Sequence, residues 1–116
     1  MRRGEVYWAE LQPRSGSEQR GTRPVIIVSH DGFNEVPNWR SVIVVPCSTS
    51  PAQRRRGPTA VPLAKGTAGL TEEGVALCHQ VTTLDRAKLT RCIGVLPEPA
   101  LLAVEAGLRA ALELGK

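Results

Sequence analysis

Long apolar runs are missing from this chain, and aromatic residues are few. None of its 116 residues falls in a stretch approaching the roughly 20 apolar residues of a membrane-spanning helix. The N-terminus, Met1-Arg2-Arg3-Gly4-Glu5, is charged, and no apolar segment of the kind a secretion signal requires follows it. The expected compartment is therefore the cytoplasm, with no membrane partner. The three cysteines, Cys47, Cys78 and Cys92, are odd in number and form no Cys-x-x-Cys. They read as buried, reduced thiols in strand interiors. The neighbours Cys78 and His79 lack the spacing of zinc ligands, so no metal site and no cofactor are expected. A Gly-x-Ser-x-Gly elbow and a Walker loop are both absent, which removes support for the standard serine hydrolases and nucleotide triphosphatases. No repeat and no domain boundary interrupts the chain, and residues 1–116 read as a single domain.

What is present is ordinary in bulk and biased in detail. Hydrophobic residues make up 41% and charged residues 22%, which argues against disorder, collagen and coiled coil. The formal net charge is +4, and only three of the 15 basic residues are lysine. Arginine presents a planar fork of donors that fits phosphate. The charge therefore fits either a nucleic-acid partner or a solvated basic surface.

Strand patterns dominate most of the chain. Val6–Ala9, Val25–Val28, Ser41–Val45, Thr59–Leu63, Val75–Val81 and Arg91–Leu96 read as six short strands. Val25–Val28 and Ser41–Val45 are β-branched runs of the kind buried on both faces. The period changes near the C-terminus. Leu101, Val104, Leu108 and Leu112 make a helical stripe, with Pro99 in the first turn and Gly115 at the stop. Gly107 should cost this helix about 1 kcal/mol relative to Ala. A short turn of helix is expected at Asp85–Leu89, with Asp85 as its cap. The fold class that follows is mainly β with a C-terminal helix, a small barrel or curled sheet. Residues 12–22, 31–40 and 49–58 read as loops. The second holds Phe33 and Trp39, half of the aromatics, and the third holds Arg54-Arg55-Arg56.

Two loop–strand junctions carry chemistry. Glu18-Gln19-Arg20-Gly21-Thr22-Arg23-Pro24 leads into the Val25 strand, and Pro24 pushes Arg23 towards extended backbone. Arg23 is then either a guanidinium aimed at a phosphate or a surface partner of Glu18. Pro46-Cys47-Ser48-Thr49-Ser50 places three hydroxyls where the next strand ends; they are either phosphoryl donors or plain turn chemistry. If the two strands run antiparallel, Arg23 and Ser48 meet at one end of the sheet. An arginine, a hydroxyl and a carboxylate such as Glu18 suffice for RNA cleavage, because the ribose 2′-hydroxyl is already a tethered nucleophile.

Arg3-Gly4-Glu5-Val6-Tyr7, Gly16-Ser17-Glu18-Gln19 leading to Arg23-Pro24-Val25, and the block Leu77–Leu89 with Gln80-Val81, Thr83-Leu84-Asp85 and Lys88-Leu89 together resemble the MazF/PemK family of toxin endoribonucleases. The resemblance runs from about Arg3 to Leu114. It implies an SH3-like, CcdB-like barrel that forms a homodimer. It also implies a metal-independent, sequence-selective endoribonuclease that leaves 2′,3′-cyclic phosphate and 5′-hydroxyl ends on single-stranded RNA. A cognate antitoxin would neutralise it with an acidic C-terminal segment. The family's catalytic arginine falls on Arg23 and its catalytic hydroxyl on Ser48, or on Thr49 one residue later. Glu18 is the expected base or the group that orients Arg23. RNA contacts fall on Ser17, Gln19, Arg20 and Gln80. For Arg54, Arg55 and Arg56, phosphate-backbone binding stands beside a solvated loop. Phe33 and Trp39 either stack bases or, as the favoured reading, cover the barrel mouth or pack in the dimer. His30 is better placed than His79 to move protons, His79 reading as a residue that packs or hydrogen-bonds within the sheet, and neither is counted among the site residues. The alternative function is a non-catalytic toxin of the same fold acting on a protein target such as gyrase.

Overall fold

The computed structural model describes residues 1–11, 21–55 and 57–115. Among the described residues, seven strands form one antiparallel sheet: β1 (Glu5–Leu11), β2 (Gly21–Ile27), β3 (Ser41–Ser48), β4 (Ala60–Leu63), β5 (Gly74–Leu77), β6 (Thr82–Asp85) and β7 (Leu89–Val95). Helix α1 (Asp31–Asn34) interrupts the β2–β3 connection, and α2 (Glu98–Leu112) follows β7. The strand order is β4-β5-β3-β2-β1-β7, and β6 also pairs with β3.

β3 is the organising strand. Its first half pairs with β6, Ser41 facing Asp85 and Val44 facing Thr82. Its last two residues pair instead with β5. One edge of β3 thus serves two strands in succession, and the sheet divides and curls around it. This is the mainly β, curled architecture with a C-terminal helix that the sequence leads one to expect.

The β-branched runs sit where their composition demands. Val25, Ile26 and Ile27 are all fully buried, as are Val44 and Val45. Because successive side chains point to opposite faces, these strands feed two apolar clusters. Ile26 and Val45 join Val6, Cys47, Ala76 and Cys78 beneath Val104 of α2. Val25, Ile27, Val42 and Val44 join Ala9 and Leu11, with Tyr7, Leu84 and Leu89 at the margin.

Several local expectations change. The alternation from Val75 to Val81 is not one strand: β5 stops at Leu77, Cys78–Gln80 form a 3-10 turn, and β6 begins at Thr82. Residues 31–34 form α1, capped by His30, whose ring nitrogen Nδ1 accepts the Gly32 N–H at 2.7 Å. Asp85 does cap the turn Arg86–Lys88, accepting the Ala87 N–H at 2.8 Å. Helix α2 begins at Glu98 with Pro99 in its first turn, but it ends at Leu112 on a left-handed Glu113 rather than at Gly115. Leu112 is exposed, so the packed stripe comprises Leu101, Val104, Leu108 and Ala111. Gly107 is buried between them. A Cβ there would lie 2.7 Å from Cys78 Sγ and 2.8 Å from Val61 Cγ2, so the helix needs glycine to approach the sheet. Cys47 and Cys78 are buried as expected, whereas Cys92 is exposed, because it lies on β7 outside both apolar clusters. Among the described residues, no helix is long and apolar enough to cross a membrane.

Candidate active site

Pro24 and the buried run behind it fix the start of β2. The β2–β3 register pairs Val25 with Pro46, Ile26 with Val45 and Ile27 with Val44. The strands are antiparallel, so the entrance of β2 and the exit of β3 lie at the same end of the sheet. Carried two residues further, the same register brings Arg23 across from Ser48. On the other side of β3, Ser48 pairs with Val75. The Ser48 corner thus lies between the first half of β2 and the start of β5.

A small cleft, open to solvent, lies at this point. Among the described residues, its polar lining is Arg23, Ser48, Thr49 and Glu72, and its apolar lining includes Cys47, Leu63, Leu70 and Val75. Arg23 and the two candidate hydroxyls, which the sequence could only place on separate loops, therefore share one groove. Ser48 is only 6% exposed, while Thr49 is exposed. The Ser48 Oγ accepts the Ser50 N–H at 3.0 Å, a local turn bond that fixes the side chain and leaves its own O–H to donate. Gly74 allows the turn into β5 to lie against this corner. A Cβ at Gly74 would stand 2.7 Å from the Ser48 carbonyl oxygen.

Cys47 lines the cleft but is no nucleophile. Burial pushes its thiol up to about 12, with Cys78 adding to the shift, and burial pushes Cys78 up to about 11. Both thiols stay protonated and serve as packing.

The remaining candidates fall elsewhere. Ser17, Glu18, Gln19, Arg20 and Arg56 lie outside the described residues. Arg54 is engaged by Glu73: its Nη1 is 2.7 Å from Glu73 Oε1, and its Nη2 donates to the Glu73 carbonyl at 3.2 Å. Arg55 is exposed on the same turn. Gln80 closes the 3-10 turn after β5, beside His79, rather than lying on a strand; neither lines the cleft. His30 caps α1 near the opposite end of β3 and does not line the cleft. Phe33 and Trp39 stack on each other at 5.2 Å beyond that end, about half exposed at 51% and 46%. Arg86 holds their loop by donating to the carbonyls of Trp39, Phe33 and Asn34.

Sequence reasoning overlooked Glu72. It belongs to the stretch Thr71-Glu72-Glu73-Gly74, which carries no recognised motif. The available signal was positional: two carboxylates immediately before a glycine that opens a buried strand.

Comparison with known proteins adds a consistent picture. Residues 2–112 match the family model described as PemK-like, MazF-like toxin of type II toxin–antitoxin system. An endoribonuclease MazF of Staphylococcus epidermidis is 34% identical over 114 residues, covering 98% of this chain and 92% of that protein. A mycobacterial endoribonuclease solved in complex with its cognate antitoxin superposes with a TM-score of 0.79 at 26% identity, covering 100% of this chain and 98% of the other. MazF from Deinococcus radiodurans gives a TM-score of 0.79 at 25% identity, covering 98% and 97%.

Proposed function

Because the chain belongs to the PemK/MazF family of type II toxin–antitoxin toxins, we propose that it is a cytoplasmic endoribonuclease. It cleaves single-stranded RNA at selected sequences without a metal ion, works as a homodimer and is silenced by a cognate antitoxin with an acidic segment. The observation that carries this reading is that Arg23 and Ser48 line one cleft. The relatives are named as endoribonucleases, which does not favour a protein target such as gyrase.

In this reading the scissile phosphate sits between Arg23 and Ser48. The 2′-oxygen attacks phosphorus, the P–O5′ bond breaks, and the products are a 2′,3′-cyclic phosphate and a 5′-hydroxyl. Negative charge builds on the non-bridging oxygens as the fifth bond forms. A fixed guanidinium is worth most at that moment, since it needs no reorganisation in a partly dry groove. Ser48, oriented by the Ser50 N–H that its oxygen accepts, donates its O–H to the same oxygens. Glu18 orients Arg23, and the glycine-bearing loop that carries Ser17, Gln19 and Arg20 contacts the RNA, together with Gln80 and the Arg54–Arg56 turn.

End-mapping of RNA cut by the wild-type protein and by Arg23→Ala tests the reading. Cyclic phosphate ends are expected, with cutting undiminished in EDTA. Arg23→Ala should lose at least about a hundredfold in rate, the scale of one transition-state donor. Full activity in a folded Arg23→Ala protein would sink the mechanism.

A further inference from the structure

We propose that Glu72 is the proton acceptor for the attacking 2′-hydroxyl, an assignment that rests on the RNA-cleaving reading above. The reaction removes a proton from the 2′-oxygen as the O2′–P bond forms, and the departing 5′-oxygen takes up a proton from solvent. Something in the cleft must receive the first proton. The guanidinium of Arg23 offers donors only. Ser48 carries a protonated hydroxyl, far too weak a base for the task, and the Cys47 thiol is neutral and embedded in the wall. His30 is committed to the cap of α1, away from the cleft. Among the described residues lining the cleft, Glu72 is the one carboxylate.

Its place is built rather than incidental. Glu73, the next residue, is pinned outward by Arg54 through both its carboxylate and its carbonyl. The residue after that, Gly74, lies hard against the Ser48 carbonyl. With Val75 paired to Ser48, the C-terminal side of the turn 71–74 is held beside the hydroxyl corner, and Glu72 lines the cleft from it.

A carboxylate in a phosphate-binding groove repels its substrate. Glu72 therefore weakens RNA binding in the ground state and contributes only when the proton moves. That combination sets the test: initial rates on a single-site RNA oligonucleotide across pH 4–9 for wild type, Glu72→Gln, Glu72→Asp and Glu18→Gln, each checked for folding by thermal melting. For Glu72→Gln we expect kcat to fall by about a hundredfold or more, the usual worth of a general base. KM should fall at the same time, and the acid limb of the pH–rate profile should vanish. Glu72→Asp should recover part of kcat and the limb. A wild-type rate in Glu72→Gln overturns the assignment, as does an acid limb that survives in Glu72→Gln but disappears in Glu18→Gln. RNA left intact by the wild-type protein fails the RNA-cleaving reading itself, whereas normal wild-type cutting with an indifferent Glu72→Gln fails only the role of Glu72.

Discussion

Ser48 and Thr49 are adjacent hydroxyls with unlike surroundings, and the difference ranks them. The Ser48 oxygen is nearly covered and held by the Ser50 N–H, so its hydrogen has a fixed direction in which to donate. Thr49 lies exposed on the rim, with its methyl towards Gly74. A preorganised donor stabilises a developing oxyanion more than a free rotor does. Ser48→Ala should therefore reduce kcat by about a hundredfold, with a stability loss of about 1 kcal/mol from the missing turn bond. Thr49→Ala should stay within about tenfold of wild type. Single-turnover cleavage of one RNA by both variants decides the order, and the reverse ranking transfers the role to Thr49. The sequence could not make this choice, because both residues follow the same strand and differ only in burial, which the fold sets. Arg23 was readable because Pro24 and the β-branched run behind it fix its position locally. Glu72 was not, because its relation to Ser48 depends on a pairing between residues 27 apart.

The elements divide along similar lines. The two central strands declared themselves through unbroken β-branched runs, which pack well only where both faces are buried. β6 was hidden because the Val75–Val81 alternation continues smoothly through a 3-10 turn, and period alone carries no mark of a corner. α1 is a single turn held by its His30 cap and by the buried Asn34, whose amide accepts from Ser29 Oγ at 2.5 Å and donates to the Ser29 carbonyl at 2.8 Å. These contacts come from the tertiary setting rather than from propensity. Gly107 is the sharpest case. Helix propensity alone says that Gly107→Ala should stabilise α2 by about 1 kcal/mol. The fold says otherwise, since the added carbon meets Cys78 Sγ and Val61 Cγ2 well inside contact distance. Overpacking of this kind costs about 1–3 kcal/mol, so the net effect should be a lower midpoint in urea. A raised midpoint would mean that the helix can back away from the sheet freely.

Across the whole molecule, the chain connections are tied down by carboxylates, and that sets its response to acid. Asp31 Oδ1 accepts the Arg3 N–H at 2.7 Å and the Asn34 amide at 3.0 Å, joining the N-terminus to α1. Asp85 Oδ1 accepts the Ala87 N–H at 2.8 Å and an Arg40 N–H at 3.0 Å, joining the β6–β7 turn to the start of β3. In each case a backbone N–H is the main cause holding the carboxyl below its ordinary range, with Asn34 helping at Asp31 and Arg40 at Asp85. A carboxyl whose folded pKa is depressed stabilises the fold fully above its unfolded value, about 3.9, and the gain is lost as pH falls through the folded value. The melting temperature should therefore be level from neutral pH down to about pH 5 and decline below it. Asp31→Asn keeps an oxygen for the Arg3 N–H but removes the charge, so it should melt lower than wild type at pH 7 and show a shallower decline in acid. The two proteins should then converge in acid, once the pH has fallen through the depressed folded value of Asp31 and its carboxyl is neutral. Parallel curves that never converge would show that the loss at pH 7 comes from repacking around Asn34 and not from the charge of Asp31.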